Sequence, residues 1–71
     1  MTVNIKEHFE NNYLVTWDWE KGNYYTVQVC PHEKDGIFFG YPVAIRTYSI
    51  NEKKKAEATY NRYIKRYCKG K

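Results

Sequence analysis

The segment that decides the fold is residues 13–30, YLVTWDWEKGNYYTVQVC, in which two alternating apolar runs flank a glycine-containing turn. Large apolar side chains occupy every second position of both runs: Tyr13, Val15, Trp17 and Trp19 in the first, and Tyr25, Val27 and Val29 in the second. Alternation with period two, rich in aromatic and β-branched residues, is typical of half-buried β-strands. The segment therefore predicts an antiparallel hairpin whose odd-numbered side chains face a core.

The turn of this hairpin is predicted to be residues 20–22, EKG. A three-residue hairpin loop needs a left-handed residue at its third position, and glycine adopts that conformation without steric cost. We therefore predict a positive φ at Gly22. The register that follows pairs Trp17 with Tyr25, Val15 with Val27 and Tyr13 with Val29.

A third strand is expected after the polar connection PHEKDG, residues 31–36. It begins near Ile37, is interrupted by Gly40 and Pro42, and resumes with alternating residues 43–50. Because proline cannot donate a hydrogen bond to a sheet and glycine often marks a bulge, we expect a bend or an edge position there.

The last element predicted is a helix over residues 51–69. Ser49 and Glu52 have the spacing of a capping box, and Asn51 is an alternative N-cap, so the helix should start at about residue 52. Its apolar stripe consists of Ala56, Tyr60, Tyr63, Ile64 and Tyr67. No glycine or proline interrupts the segment before Gly70.

Residues 1–12 are compatible with two structures. Asn4 and Glu7 could cap a short helix, whereas Val3 and Ile5 fit a short edge strand, which we favour. The sequence thus predicts a single α+β domain over residues 1–71, in which residues 13–50 form a three-stranded antiparallel sheet, with a possible extra N-terminal strand. The C-terminal helix is expected to cover one face of this sheet.

Length and composition exclude several classes of protein. The chain has 71 residues, of which 42% are hydrophobic, 28% charged and 18% aromatic, so it is too apolar for a disordered tail. A chain this short forms at most one domain and has little room for an enclosed pocket. No run approaches the ~20 apolar residues of a membrane span. Residues 1–9 contain no apolar run that could serve as a secretory signal, so we expect a cytoplasmic location without membrane association.

Side chains for catalysis or cofactor binding form no recognisable pattern. His8 and His32 are isolated, and the chain lacks a glycine-rich phosphate loop and a nucleophile elbow. Cys30 and Cys68 complete a nominal two-Cys, two-His zinc set with the histidines, but the short paired spacings of zinc sites are missing, which favours two free thiols. We therefore predict no enzymatic activity, no cofactor, no metal and no small-molecule substrate.

Charge is unevenly divided along the chain. Residues 1–50 hold four basic and six acidic groups, a net charge of −2, whereas residues 51–71 hold eight basic and two acidic groups, a net charge of +6. A concentrated basic segment attracts phosphates and anionic surfaces.

Six basic residues of the helix form what we call the basic stripe. At 100° per residue they share one arc of about 120°, which no acidic side chain enters. They are Lys54, Lys55, Arg62, Lys65, Arg66 and Lys69. Solvated faces usually mix signs, so that Glu and Lys pair three or four residues apart. The pattern favours phosphate binding, with a solubilising face, compensation of the helix macrodipole or attraction to a membrane surface as alternatives.

The aromatic residues have two possible uses. Bases stack on exposed rings at about 1–3 kcal/mol each, so Trp19, Tyr24, Tyr41 or Tyr48 on an open sheet face could form a platform for single strands. In a domain this small, however, large rings are an efficient way to build a core, and we favour this second use.

The order of elements, with residues 49–58, SINEKKKAEA, entering the helix, resembles the arm-type DNA-binding domains of phage and transposon integrases. The resemblance covers residues 13–68 and implies a sheet laid in the major groove. It would place near base edges Thr16, Asp18, Tyr24, Thr26, Gln28 and Arg46. Residues 53–56, KKKA, are also similar, more weakly, to the lysine cluster of double-stranded-RNA-binding domains.

These patterns together predict a small nucleic-acid-binding accessory module, from a phage or mobile element, with DNA favoured over RNA. The basic stripe and Arg46 are its candidate binding residues. The alternative is a non-enzymatic protein–protein interaction module, an inhibitor or adaptor, that uses the sheet face or the edge strand near Gly40 and Pro42.

Overall fold

The described residues form one four-stranded sheet and one helical segment. The computed structural model describes residues 2–31 and 42–69. The elements are β1 (Thr2–Glu10), β2 (Tyr13–Glu20), β3 (Tyr24–Pro31), β4 (Ala44–Ser49), α1 (Lys53–Tyr63) and a π-helical turn (Ile64–Cys68). The strands are antiparallel in the order β1-β2-β3-β4. The predicted α+β architecture is confirmed, and the N-terminal segment supplies a fourth strand. The expectations for Ile37, Gly40 and Tyr41 lie outside the described residues.

The N-terminal strand owes its hairpin to two asparagines. Asn11 and Asn12 have φ values of 57° and 65° and form a two-residue loop between the paired Glu10 and Tyr13. A loop of this length with both residues at positive φ is a type I′ turn, whose twist matches that of the strands, and asparagine tolerates this region better than most residues. The Asn-Asn pair was therefore the sequence signal for a strand in residues 1–12.

A β-bulge in β1 changes the pairing between Asn4 and Lys6. Asn4 is opposite Asp18 and Lys6 is opposite Trp17, so Ile5 is the additional residue. Ile5 is half-buried and packs against the core. The bulge thus adds an apolar side chain to an edge strand that is otherwise mostly exposed.

The β2–β3 hairpin forms, but the predicted register is wrong by two residues. The observed pairs are Val15–Val29, Trp17–Val27 and Trp19–Tyr25. The predicted register would have placed Trp19 opposite the polar Asn23, whereas the observed register stacks it on Tyr25, with ring centroids 6.4 Å apart. A shift of two residues leaves every side chain on its face, so alternation alone does not distinguish the two registers.

The short strand β4 is an edge strand, as expected for the segment after Pro42. It pairs on one side with β3, from Val29 opposite Ala44 to Tyr24 opposite Ser49. Its other side has no neighbouring strand in the described part of the chain. Pro42 itself precedes the strand and takes no part in its pairing.

The helix begins at Lys53 and lacks the predicted side-chain cap. The N-cap position is occupied by Glu52, not Asn51, and no side chain caps the first turn. The Ser49 N–H donates to Glu52 Oε1 at 3.0 Å, which is the glutamate half of a capping box without the serine half. In residues 2–31 and 42–69 no helix combines the length and apolar character that crossing a membrane requires.

The C-terminal turn is π-helical rather than α-helical. The Lys69 N–H donates to the Ile64 carbonyl at 3.0 Å, a five-residue hydrogen bond. This wider turn brings Cys68 into the core, where its exposed fraction is 5%. At 100° per residue Cys68 would have lain about 40° beyond the edge of the apolar stripe, so the π-turn is a departure from the sequence prediction.

The helix covers one side of the sheet, as predicted. The core between the two layers consists of Val15, Trp17, Tyr25, Val27, Val29, Ala56, Tyr60, Tyr63 and Cys68. The Trp17 and Tyr60 rings are in contact, with centroids 6.0 Å apart. We call the side of the sheet under the helix the helix side and the opposite side the open side.

Candidate nucleic-acid interface

All six residues of the basic stripe are exposed. Lys54, Lys55 and Arg62 lie on α1, Lys65 and Arg66 on the π-turn, and Lys69 directly after it. The helical periodicity therefore identified these six exposed cations correctly.

Two members of the stripe are engaged by carboxylates. Lys55 Nζ lies 3.2 Å from Glu52 Oε2, and Lys69 Nζ lies 3.5 Å from Glu10 Oε1. These carboxylates offset part of the charge that Lys55 and Lys69 present to a ligand. Both lysines remain mostly exposed, so each contact contributes little to stability.

The other four members have no carboxylate within 4 Å in the described part of the chain. Two of them are oriented by neutral groups instead. Arg62 Nη2 donates to Thr59 Oγ1 at 3.3 Å, and the Arg66 guanidinium lies 5.7 Å from the centre of the Tyr67 ring. Lys54, Arg62, Lys65 and Arg66 therefore present charge that no described acidic group offsets.

The first turn of the helix adds further positive charge in an unfavourable place. Lys53, Lys54 and Lys55 follow one another there, and the turn contains no acidic residue. The helix macrodipole makes its N-terminus partially positive, so cations at this end destabilise the helix. Lys53 was not part of the predicted stripe and lies outside its arc, but it is exposed.

Arg46 lies on the helix side of β4, which corrects its predicted grouping with the base-reading residues of the sheet. It is directly opposite Val27, a core residue, and opposed residues in an antiparallel sheet share a face. Thr47, its neighbour, faces the open side. Arg46 therefore lies beside the helix, and the integrase-like grouping does not hold for it.

The open side carries the other residues of that grouping. Thr16, Asp18, Tyr24, Thr26 and Gln28 all point to this side. Three carboxylates share it: Glu7, opposite Thr16, and Asp18 and Glu20, opposite Asn4 and Thr2. The described residues of β1 to β4 place no lysine or arginine on the open side. This face is acidic and therefore repels a phosphate backbone.

Two of the four rings considered for a stacking platform are not on the open side. Trp19 and Tyr48 lie on the helix side, where both pack against the core. Tyr24 is on the open side and is exposed, whereas Tyr41 lies outside the described residues. Two of the four rings thus serve the core, which is the use that the sequence favoured.

The two cysteines are on opposite sides of the sheet. Cys30 is opposite Leu14 on the open side, whereas the Cys68 thiol on the helix side contacts the Tyr13 carbonyl oxygen at 3.7 Å. Both are thiols, and burial raises the pKa of each. Cys30 and Cys68 therefore do not come together as the nominal zinc set requires, and His32 lies outside the described residues. No cluster of three or more potential metal ligands occurs in residues 2–31 and 42–69.

The fold and its charge distribution define a small α+β domain with a basic helical layer and an acidic open sheet face. Comparison with known proteins finds no matching family model, no similar curated protein and no similar solved structure.

Proposed function

We propose that the protein is a small, non-enzymatic accessory module from a phage or mobile element, which binds nucleic acid through the basic stripe. The observation that carries this proposal is a set of four exposed cations that have no carboxylate within 4 Å in residues 2–31 and 42–69: Lys54, Arg62, Lys65 and Arg66. Cations in this arrangement repel one another, and a phosphate backbone relieves that repulsion.

The division of charge between the two faces supports an orientation in which the helical layer, rather than the sheet, faces the nucleic acid. The open sheet side carries Glu7, Asp18 and Glu20, so the proposed binding mode differs from the sheet-in-groove mode that the integrase resemblance implies. Contacts from Lys and Arg to phosphates position a protein without reading sequence. We therefore expect binding of modest sequence preference, with duplex DNA favoured over RNA.

The test compares two variants that lose the same amount of charge. Lys65→Gln/Arg66→Gln removes two cations of the stripe, whereas Lys6→Gln/Lys21→Gln removes two cations elsewhere. Fluorescent duplex DNA, duplex RNA and single strands are titrated at three or more salt concentrations. The stripe variant should flatten the log–log salt dependence by about two units, because each phosphate contact contributes a slope of about −0.9. The control variant should keep the slope of the parent.

Two results would contradict the proposal. One is the absence of binding by the parent below about 100 μM at low salt, the weak end of non-specific nucleic-acid affinity. The other is an equal loss in both variants, which would indicate a general effect of net charge. Far-UV circular dichroism of each variant confirms that it is folded before binding is measured.

A second candidate function, protein–protein interaction, is favoured by the edge strand β4. Its residue Ile45 is 54% exposed on the open side, next to a strand edge that has no partner in the described part of the chain. Such an edge can accept an additional strand from another protein. Binding of this kind responds weakly to salt, so the titrations above distinguish it from phosphate binding.

A further inference from the structure

A buried threonine connects the edge strand to one arginine of the basic stripe. Thr59 is 1% exposed, and its Oγ1 is 2.6 Å from the Tyr48 hydroxyl oxygen on β4. The same Oγ1 accepts a hydrogen bond from Arg62 Nη2 at 3.3 Å. Arg62 is therefore held by a group that is itself fixed in the core, which restricts a side chain that would otherwise sample many rotamers.

Arg46 lies on the same flank of the helix and at a similar level. The helix runs antiparallel to β4, since Thr59 contacts Tyr48 and the later Tyr67 packs on Tyr13, beyond the Ala44 end of β4. The distance along the strand from Tyr48 back to Arg46 is about 6.6 Å. The distance along the helix axis from Thr59 forward to Arg62 is about 4.5 Å, in the same direction. The two side chains therefore leave β4 and α1 at a similar level along the helix axis.

The electrostatics of this junction favour an anionic ligand. In the described part of the chain no carboxylate lies within 4 Å of Arg46 or Arg62. Guanidinium groups are always charged and bind phosphate oxygens in a fork geometry. Two such groups on one flank lower the free energy of an anion placed between them.

We propose that Arg46 and Arg62 bind the same phosphate group of the nucleic-acid backbone, and that Thr59 and Tyr48 are positioning residues for Arg62. This assignment rests on the proposed function, and it places two separately predicted residues in one site. A phosphate held by both arginines also fixes the helix axis relative to the bound strand, because one arginine comes from the sheet and the other from the helix.

A double-mutant cycle tests whether the two arginines share a ligand. Duplex DNA affinity is measured for the parent, Arg46→Gln, Arg62→Gln and the double variant. Residues with a shared partner are non-additive, so the loss in the double variant should differ from the product of the single losses by at least about threefold. Lys54→Gln combined with Arg62→Gln is the control and should be multiplicative within about twofold. Multiplicative losses for Arg46 and Arg62 as well would overturn the shared site.

A second measurement tests the positioning role without relying on nucleic acid. Nitrogen relaxation of the Arg62 Nε–Hε group in the free protein should show restricted motion in the parent and in Thr59→Ser. It should show greater motion in Thr59→Val, which replaces the hydroxyl by a methyl group, while Arg66 is unchanged. Affinity for duplex DNA should fall by about two- to tenfold in Thr59→Val with an unchanged salt slope, since ordering one long side chain costs about 0.5–1.5 kcal/mol. Equal motion of Arg62 in all three proteins would overturn the positioning role.

Inorganic phosphate separates failure of this site from failure of the proposed function. If the parent does not bind nucleic acid, phosphate is titrated while the Nε–Hε signals of Arg46 and Arg62 are observed. Joint shifts of both signals, lost in either single variant, would support the phosphate site and reject nucleic acid as its ligand. Unshifted signals would reject the site as well.

Discussion

Three residues with positive φ shape the two hairpins that join β1, β2 and β3. Asn11 and Asn12 close the first hairpin, and Gly22, with φ of 80°, closes the second. In the second turn the Asn23 N–H donates to the Glu20 carbonyl at 2.8 Å, so Gly22 is the third residue of a four-residue turn. A positive φ at this position is the mark of a type II turn.

The positive φ of Gly22 predicts that a substitution at this position changes stability through backbone preference alone. A Cβ added at this position would meet no atom within 4 Å, so a substitution creates no clash. Gly22→Val should nevertheless destabilise the protein by about 1–2 kcal/mol, because a β-branched residue resists the left-handed region. Gly22→Asn should cost less, and Lys21→Ala should be near neutral. Urea unfolding of the three variants measures the difference, and equal stability of Gly22→Val and the parent would contradict the prediction.

Glu10 joins the first hairpin to the end of the helical segment. Its Oε1 is 2.7 Å from His8 Nε2 and 3.5 Å from Lys69 Nζ. The hydrogen bond with His8 is the main cause that lowers the pKa of Glu10, and Lys69 adds to it. The neighbouring Asn11 side chain donates to the Tyr67 carbonyl at 3.2 Å, so the hairpin turn and the π-turn are in contact.

The lowered pKa of Glu10 predicts a loss of stability in acid. The folded protein binds this proton less readily than the unfolded chain, so the contribution is present above the ordinary glutamate pKa of about 4.3 and is lost as pH falls through the folded-state pKa. NMR titration of the Glu10 carboxyl should give a lower pKa in the parent than in His8→Gln. The same titration midpoint in both proteins would show that His8 does not stabilise the carboxylate.

Among the elements, the helical segment contributes one entire side of the core. Its buried residues include Ala56, Tyr60 and Tyr63 on α1 and Cys68 on the π-turn. The π-turn contributes the buried Cys68 to this core. It also places the Tyr67 ring 5.4 Å from Tyr13 and 6.0 Å from Tyr63. Tyr67 thus contacts both a ring of α1 and a ring of β2.

Removing one ring from this helical layer should strongly destabilise the protein. Tyr63→Ala should lower the free energy of unfolding by about 3–5 kcal/mol, as for other large aromatic side chains in cores, and the half-buried Ile64→Ala by about 2 kcal/mol or more. The exposed Asn61→Ala, on the same helix, is the control and should change stability little. Melting temperatures of Tyr63→Ala and Ile64→Ala within a degree or two of the parent would show that the helix does not hold the core together.

At the scale of the whole molecule, the two layers carry opposite charge. The helical layer presents the basic stripe outward, whereas the open side of the sheet presents Glu7, Asp18 and Glu20. Such a distribution orients a protein as it approaches a polyanion, with the helical layer leading. In the proposed binding mode the acidic face points away from the nucleic acid.

The sequence by itself determined the elements whose side chains repeat with a clear period. Alternation predicted β2 and β3 and the face that each residue occupies, because the period of a strand is two. Helical spacing likewise predicted the outward position of Lys54, Arg62 and Lys65. Gly22 was identified by its backbone freedom. All of these are local properties, which a residue and its near neighbours determine.

Only the tertiary structure decided the features that depend on contacts between distant segments. Alternation is unchanged by a shift of two residues, so the register of β2 and β3 depended on the pairing of Trp19 with Tyr25. The position of Arg46 beside the helix depended on which side of the sheet the helix covers. The burial of Thr59 depended on the Tyr48 hydroxyl, and that of Cys68 on the π-turn. Each is settled by contacts between segments that are distant in the chain, and no local pattern encodes those contacts.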